Sequence, residues 1–177
     1  MSEKQFVYKI MVLGDPSVGK TSLIRRFVEN RFSEEYLTTI GVEFLKKELL
    51  IDEKTKVTLV LWDVAGQAKW TQFKKAYYQG ALFIIAVFDV TNKKSFSNIK
   101  RWISDAQEIL ESNIDFAIIA NKIDLLEGQT IPAFDEYNQY KGFIAPIIQT
   151  SAKTGKNVNE TFLKIAKFLV KKIGKRG

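Results

Sequence analysis

Residues 14–21 read Gly14-Asp15-Pro16-Ser17-Val18-Gly19-Lys20-Thr21. The octet matches G-x-x-x-x-G-K-[ST], the pattern of a phosphate-binding loop, and its flanks supply the setting that pattern requires. An apolar run, Val7 to Leu13, precedes it. An amphipathic run, Lys20 to Glu29, follows, with Leu23, Ile24, Phe27 and Val28 on one face. Glycines let the backbone wrap around phosphate oxygens while successive N–H groups point inward. The start of the following helix adds its positive dipole end. Lys20 is placed to reach the β- and γ-phosphates as a point charge, and the Thr21 hydroxyl to ligate Mg²⁺. The predicted phosphate-contacting stretch runs from Gly14 through Ser22.

Outward from this loop, strand-like and helix-like runs alternate. Phe44 to Ile51 and Val57 to Trp62 read as strands joined by the polar turn Asp52 to Lys56, hence an antiparallel hairpin. Ala81 to Phe88 and Phe116 to Ala120 are apolar throughout, as strands buried on both faces are. Ile144 to Ile148 is interrupted by Pro146, which predicts an edge position or a late strand start. Ser95 to Leu110 carries Phe96, Ile99, Trp102, Ile103, Ala106 and Leu110 at helical spacing, after cap-type residues in Thr91 to Ser95. Asn157 to Ile173 carries Val158, Phe162, Ile165, Leu169 and Ile173, and Asn157 with Glu160 has the spacing of a capping box. The alternation predicts an α/β, three-layer domain: a six-stranded, mostly parallel sheet with one antiparallel strand and helices on both faces. The expected domain spans 1–177 with its core in 6–173, and ligands are expected at the carboxyl ends of the strands.

A phosphate loop alone does not choose a base. Asn121-Lys122-Ile123-Asp124 follows an apolar run and so sits at a strand end. A carboxylate such as Asp124 accepts two hydrogen bonds from the N1–H and exocyclic amine of guanine. Adenine offers a lone pair there, so the same carboxylate would stay unpaired, which is strong discrimination. The Lys122 stem is placed to lie along the base, and Asn121 to tie this loop to the phosphate loop. Asp63 follows the run Val57 to Trp62 and is placed to hold Mg²⁺ through water. The Gly66 N–H would meet the γ-phosphate, and Gln67 would orient an attacking water. Ser151-Ala152-Lys153 ends another strand, with backbone N–H groups available to a guanine carbonyl oxygen.

These four motifs, in this order and separation, resemble the Ras superfamily of small GTPases over roughly Phe6 to Ile173. Within it the chain is most similar to the Rab branch, through Thr38-Thr39-Ile40-Gly41-Val42-Glu43-Phe44, Leu61-Trp62-Asp63 with Ala65-Gly66-Gln67, and Tyr77-Tyr78-Gln79-Gly80-Ala81. The resemblance implies a switch that binds GTP or GDP with Mg²⁺, hydrolyses GTP slowly without an activating partner, and serves membrane or vesicle traffic. It implies that Thr39 closes over Mg²⁺ and the γ-phosphate, Phe32 packs against the guanine and Tyr36 covers the phosphates. Effectors, exchange factors and activators would meet the switch loops at Ile40, Gly41, Val42, Phe44, Trp62, Trp70 and Tyr77. The departures are Pro16-Ser17 where Rabs commonly have Ser-Gly, Ala68 where an acidic residue is usual, and the absence of a cysteine-bearing tail.

Composition sets the remaining limits. The 177 residues are 46% hydrophobic and 27% charged, a globular balance. With no cysteine and no histidine, disulfides, thiolate or imidazole metal sites and prenylation of this chain are excluded. The net charge of +7 comes from lysines spread along the chain, which reads as a solvated surface and not a nucleic-acid site. A monomer in the cytoplasm is expected, with weak peripheral membrane contact at most, through Lys164, Lys167, Lys171, Lys172, Lys175 and Arg176. Two other classes fit parts of the pattern. Pro16 and Ala68 suit a nucleotide-locked scaffold that barely hydrolyses. The phosphate loop and basic charge suit a P-loop kinase or nucleic-acid-linked NTPase, against which Asn121 to Asp124 argues.

Overall fold

The computed structural model describes residues 4–33, 39, 41–65, 74–126 and 147–174. Its central strand is β1, Lys4–Leu13. The β2–β3 hairpin comprises Val42–Asp52 and Thr55–Val64. β4 is Phe83–Asp89, β5 Phe116–Asn121 and β6 Ile148–Gln149. The sheet order is β2-β3-β1-β4-β5-β6. All neighbours pair parallel except β2 with β3, so the expected α/β architecture is observed. After β1 the chain builds one side of the sheet, then crosses to the other with β4. Loop 14–19 therefore leaves β1 at the point where the winding reverses, the usual ligand crevice of such sheets.

Alternation along β1 explains the two cores. Ile10 and Val12 face one side and Met11 and Leu13 the other, all fully buried. The first side is covered by α1 (Lys20–Glu29) and α5 (Val158–Ile173). There Phe27 and Phe162 stack with ring centroids 4.1 Å apart, and Leu23, Ile24, Ile165 and Leu169 fill the layer. The second side is covered by α2 (Lys74–Tyr78) and α4 (Ile99–Leu110), through Tyr78, Ile99, Trp102, Ile103 and Ala106. Each such large apolar side chain contributes about 1.5–3 kcal/mol when fully buried.

Three details differ from the sequence reading. The helix predicted over Ser95 to Leu110 is two: α3, Lys93–Ser97, and α4, separated at Asn98. Asn92 caps α3, accepting from the Lys94 and Ser95 amides at 3.0 and 3.3 Å. Asn98 itself keeps αR dihedrals (φ −79°, ψ −12°), and its side chain donates to the Asp15 carboxylate at 2.6 Å. The capping box at Asn157 does not form, because Asn157 has φ 59° and its side chain donates backwards to the Gln149 carbonyl at 2.8 Å. β3 runs two residues beyond its predicted carboxyl end, to Val64, so Asp63 lies inside the strand, paired with Val12 of β1, and not after it. β6 is an edge strand that begins only at Ile148; Pro146 lies outside the described residues.

The buried Tyr8 hydroxyl has no hydrogen-bond partner among the described residues, and burial pushes its pKa up. Tyr8→Phe removes that unsatisfied group. It should stabilise the fold by about 1 kcal/mol, raising Tm by about 2–4 °C in a chain of this size. A fall in Tm by scanning calorimetry would contradict this.

Candidate nucleotide-binding site

The loop after β1 turns through three left-handed residues, Gly14 (φ 146°), Ser17 (φ 65°) and Gly19 (φ 93°). A Cβ on Gly14 would come within 2.2 Å of the Val87 carbonyl oxygen, and one on Gly19 within 2.4 Å of Asn121 Nδ2. Both positions therefore need glycine. Ser17 adopts the same region without that freedom, at a cost of about 1–2 kcal/mol. Pro16 and Ser17 stand exposed on the crest, while Val18 is buried beneath. α1 begins at Lys20 with no side-chain cap, so the orphan N–H groups of its first turn, Ser22 among them, face the loop.

Lys20 is almost fully buried, and its Nζ donates to the Gly14 and Asp15 carbonyls at 2.9 Å each. Burial lowers its pKa, opposed by the charges of Asp63 and Asp15. One residue along, Thr21 Oγ1 donates to Asp63 Oδ2 and lies 2.8 Å from Thr39 Oγ1, which itself reaches Asp63 Oδ2 at 3.3 Å. Burial raises the Asp63 carboxyl pKa, while the Thr21 bond and Lys20 pull it down. The other carboxylate oxygen, Oδ1, is buried with no partner among the described residues. Two hydroxyls and an under-satisfied carboxylate form a hard-oxygen set, and that set fits Mg²⁺.

A second group of residues closes the far side. Asn121, at the end of β5, is 1% exposed. Its Nδ2 donates to the Val18 carbonyl at 3.0 Å, and its Oδ1 accepts from Thr150 Oγ1 and the Ala152 amide, both at 3.2 Å. Lys122 has φ 66° and pairs with Asp89 at 2.6 Å. Asp124 sits on the short 3₁₀ turn Ile123–Leu125, where its carboxylate accepts from Ser151 Oγ at 2.5 Å. Ser151 and Ala152 are buried and Lys153 is exposed beside them. The half-buried Phe32 packs against the α1/α5 core.

Of the expected partner residues, Phe44 and Trp62 lie elsewhere, on the β2–β3 hairpin, with Tyr77 of α2 beside them. Phe44 and Trp62 stack at 5.6 Å, and Tyr77 tilts against Trp62 at 6.4 Å. Lys9 Nζ lies 3.7 Å from the centre of the Trp62 ring and donates to the Tyr77 and Gln79 carbonyls at 2.5 and 2.9 Å. Gly41 turns into β2 at φ 82°, its carbonyl accepting from Ala65 N at 3.0 Å, and Val42 opens the strand. Tyr36, Ile40, Gly66, Gln67, Ala68 and Trp70 lie outside the described residues, as do Lys175 and Arg176.

Asp15, an expected nucleotide contact, uses its carboxylate to accept from Asn98 Nδ2 at 2.6 Å and Trp102 Nε1 at 2.8 Å. Asn98 and Trp102 went unnoticed because nothing local marks a bond across more than eighty residues. Asp89 was missed too, although an acidic residue ending an apolar strand was a visible signal. Its carboxylate also accepts from Thr91 N and Oγ1, at 2.9 and 2.7 Å.

A family model described as "Ras family" matches residues 9–171. The chain belongs to the Ras family. It is accordingly a GTPase, of the Rab-like kind. It is 41% identical to the Ras-related protein Rab-1 of Theileria parva over 174 residues, 98% of this chain and 79% of that protein. It is 40% identical to the Ras-related protein SEC4 of Saccharomyces cerevisiae over 167 residues, 94% of this chain and 77% of that one. Against the Ras-related protein Rab-8 of Diplobatis ommata the figure is 36% over 171 residues, 97% and 81%.

In this Ras-family chain Asn121→Ala strips partners from Val18, Thr150 and Ala152 at once. A cost of about 2–4 kcal/mol is expected, read as a lower urea midpoint for nucleotide-free protein. A cost under about 0.5 kcal/mol, the size of an ordinary surface change, would contradict the role given to Asn121.

Proposed function

We propose that this GTPase is a molecular switch that binds GTP or GDP with Mg²⁺ and acts in membrane or vesicle traffic, as its likeness to Rab proteins implies. The observation that carries the reading is the convergence of Thr21, Thr39 and Asp63 at the mouth of a left-handed loop whose other flank Asn121 ties to the loop of Asp124. In this reading loop amides 14–19 and the first turn of α1 hold the phosphates. Lys20 exchanges its two carbonyl partners for the β- and γ-phosphate oxygens. Mg²⁺, held by Thr21 and Thr39 with Asp63 behind them, would supply charge neutralisation. Asp124 accepts from the guanine N1–H and amine, Lys122 lies along the base, and the Ser151–Lys153 backbone meets its carbonyl.

Thr39 is the element that couples chemistry to shape. When the γ-phosphate leaves, Thr39 keeps only its side-chain partners, and the segment it terminates relaxes. Gln67 orients the attacking water, and an arginine from a partner would speed hydrolysis by about 10³–10⁵-fold. Partners read Phe44, Trp62 and Tyr77, with their neighbours on the switch segments. No described helix is long and apolar enough to cross a bilayer. Lys164, Lys167 and Lys171 lie along α5, while Lys172 pairs with Asp115.

The alternative of a nucleotide-locked scaffold draws on Pro16 and Ser17, which crowd the crest an activating side chain would cross. Single-turnover hydrolysis separates the two. The switch reading expects Gln67→Leu to slow phosphate release by at least about tenfold with a partner arginine supplied, whereas equal rates would favour the scaffold. Base choice has its own test. Asp124→Asn turns a double acceptor into an acceptor–donor pair that matches xanthine. Guanine nucleotide affinity should fall about 10²-fold or more, and xanthosine diphosphate should now compete. Wild-type protein that releases adenosine nucleotides on denaturation would overturn the reading.

A further inference from the structure

Arg26 lies in the last turn of α1, outside every motif in the sequence, yet it grips the loop that follows β6. Its Nε donates to the Ala152 carbonyl at 2.8 Å and its Nη2 to the Lys153 carbonyl at 2.6 Å. Nη1 reaches the Asn30 carbonyl at 3.3 Å, and the guanidinium stands 5.9 Å from the centre of the Phe32 ring. Asn30 is the left-handed residue that ends α1, two positions before Phe32. One planar cation thus fixes two successive carbonyls of the 151–153 loop and also the chain leading to Phe32.

Two successive carbonyls held on one side leave the intervening peptide units little freedom to rotate. Ala152 is gripped at its other end as well, its amide 3.2 Å from Asn121 Oδ1. Gly155 (φ 83°) lies alongside, where a Cβ would meet Arg26 Cδ at 3.7 Å, ordinary van der Waals contact. A lysine offers one compact charge and cannot span both carbonyls with a rigid fork.

We propose that Arg26 is a positioning residue for base specificity: by holding the Ala152 and Lys153 carbonyls it orients the Ala152–Lys153 peptide unit so that its amide, the Lys153 N–H, is aimed at the C6 oxygen of guanine. The inference rests on the guanine-nucleotide reading above and deepens it. Arg26 touches no nucleotide atom itself. It separates recognition of the C6 oxygen, which depends on α1 through this cation, from recognition of the amine, which depends on Asp124.

Two analogues read these contacts independently. In 6-thioguanosine diphosphate a weakly accepting sulfur replaces the C6 oxygen, while inosine diphosphate lacks the exocyclic amine. Affinities of GDP and both analogues are measured by displacement of a fluorescent guanine nucleotide with Mg²⁺ present. Wild type should prefer GDP over each. Arg26→Gln should shrink the preference over the thio analogue by about tenfold and leave the preference over inosine diphosphate within about twofold. Arg26→Lys, which keeps the charge at the end of the helix, should fall between and guards against a misfolded Gln variant. Equal weakening of all three nucleotides would mean a merely structural role and overturn the proposal. So would a wild type indifferent to the thio substitution. Failure of wild type to bind GDP, or to prefer it over inosine diphosphate, is a different result that removes the guanine reading beneath it.

Discussion

The carboxamide of Asn121 is the constraint on which the site is built. It is buried at the end of β5, where water cannot replace a lost partner, and it bonds to three partners in two separate segments. Its Nδ2 fixes the last peptide before Gly19, and its Oδ1 fixes Thr150 and Ala152. A planar amide with donor and acceptor at set angles makes the phosphate half and the base half one rigid frame. The close pass of Gly19 belongs to the same arrangement, since only a residue without Cβ lets Asn121 approach. Low local dielectric strengthens these bonds and makes each of them expensive to omit.

The frame contrasts with the cluster it supports. Thr21 and Thr39 crowd around one carboxylate oxygen of Asp63, and the other has no partner among the described residues. Burial works against the ionised form of Asp63 and against the charged form of Lys20. Such tension in a folded chain is expected where a ligand supplies the missing charge. Rigidity at Asn121 and tension at Asp63 are therefore complementary. The first keeps the geometry, and the second favours occupancy by a cation and an anion together.

Much of this was legible in the sequence, for definite reasons. Residues 14–21 carry both a spacing and a chemistry, and the apolar run before them locates β1. β4 and β5 are apolar up to their last residues, Asp89 and Asn121, because both faces are covered, and α1 fell between its predicted ends. What escaped were side-chain bonds across long separations. Asp15 lies in the motif, but its bonds to Asn98 and Trp102 depend on α4 packing beneath the loop. Asn157 looked like a cap because its spacing to Glu160 is right. The left-handed turn after Thr154 aims it elsewhere, and no local pattern reports that. Arg26 appeared only as a polar residue on a helix, since its partners are carbonyls and carbonyls carry no sequence identity.

The end of α5 abuts the start of β1: a Cβ on Gly174 would lie 3.3 Å from the Phe6 ring. β1 is ten residues long, about 30 Å at ~3.3 Å per residue, and the phosphate loop leaves its opposite end. Anything fastened beyond α5 would consequently moor the molecule by its base, with the nucleotide mouth facing outward from the anchorage. A protein held this way could exchange its small-molecule cargo and meet passing partners without letting go of the surface that holds it.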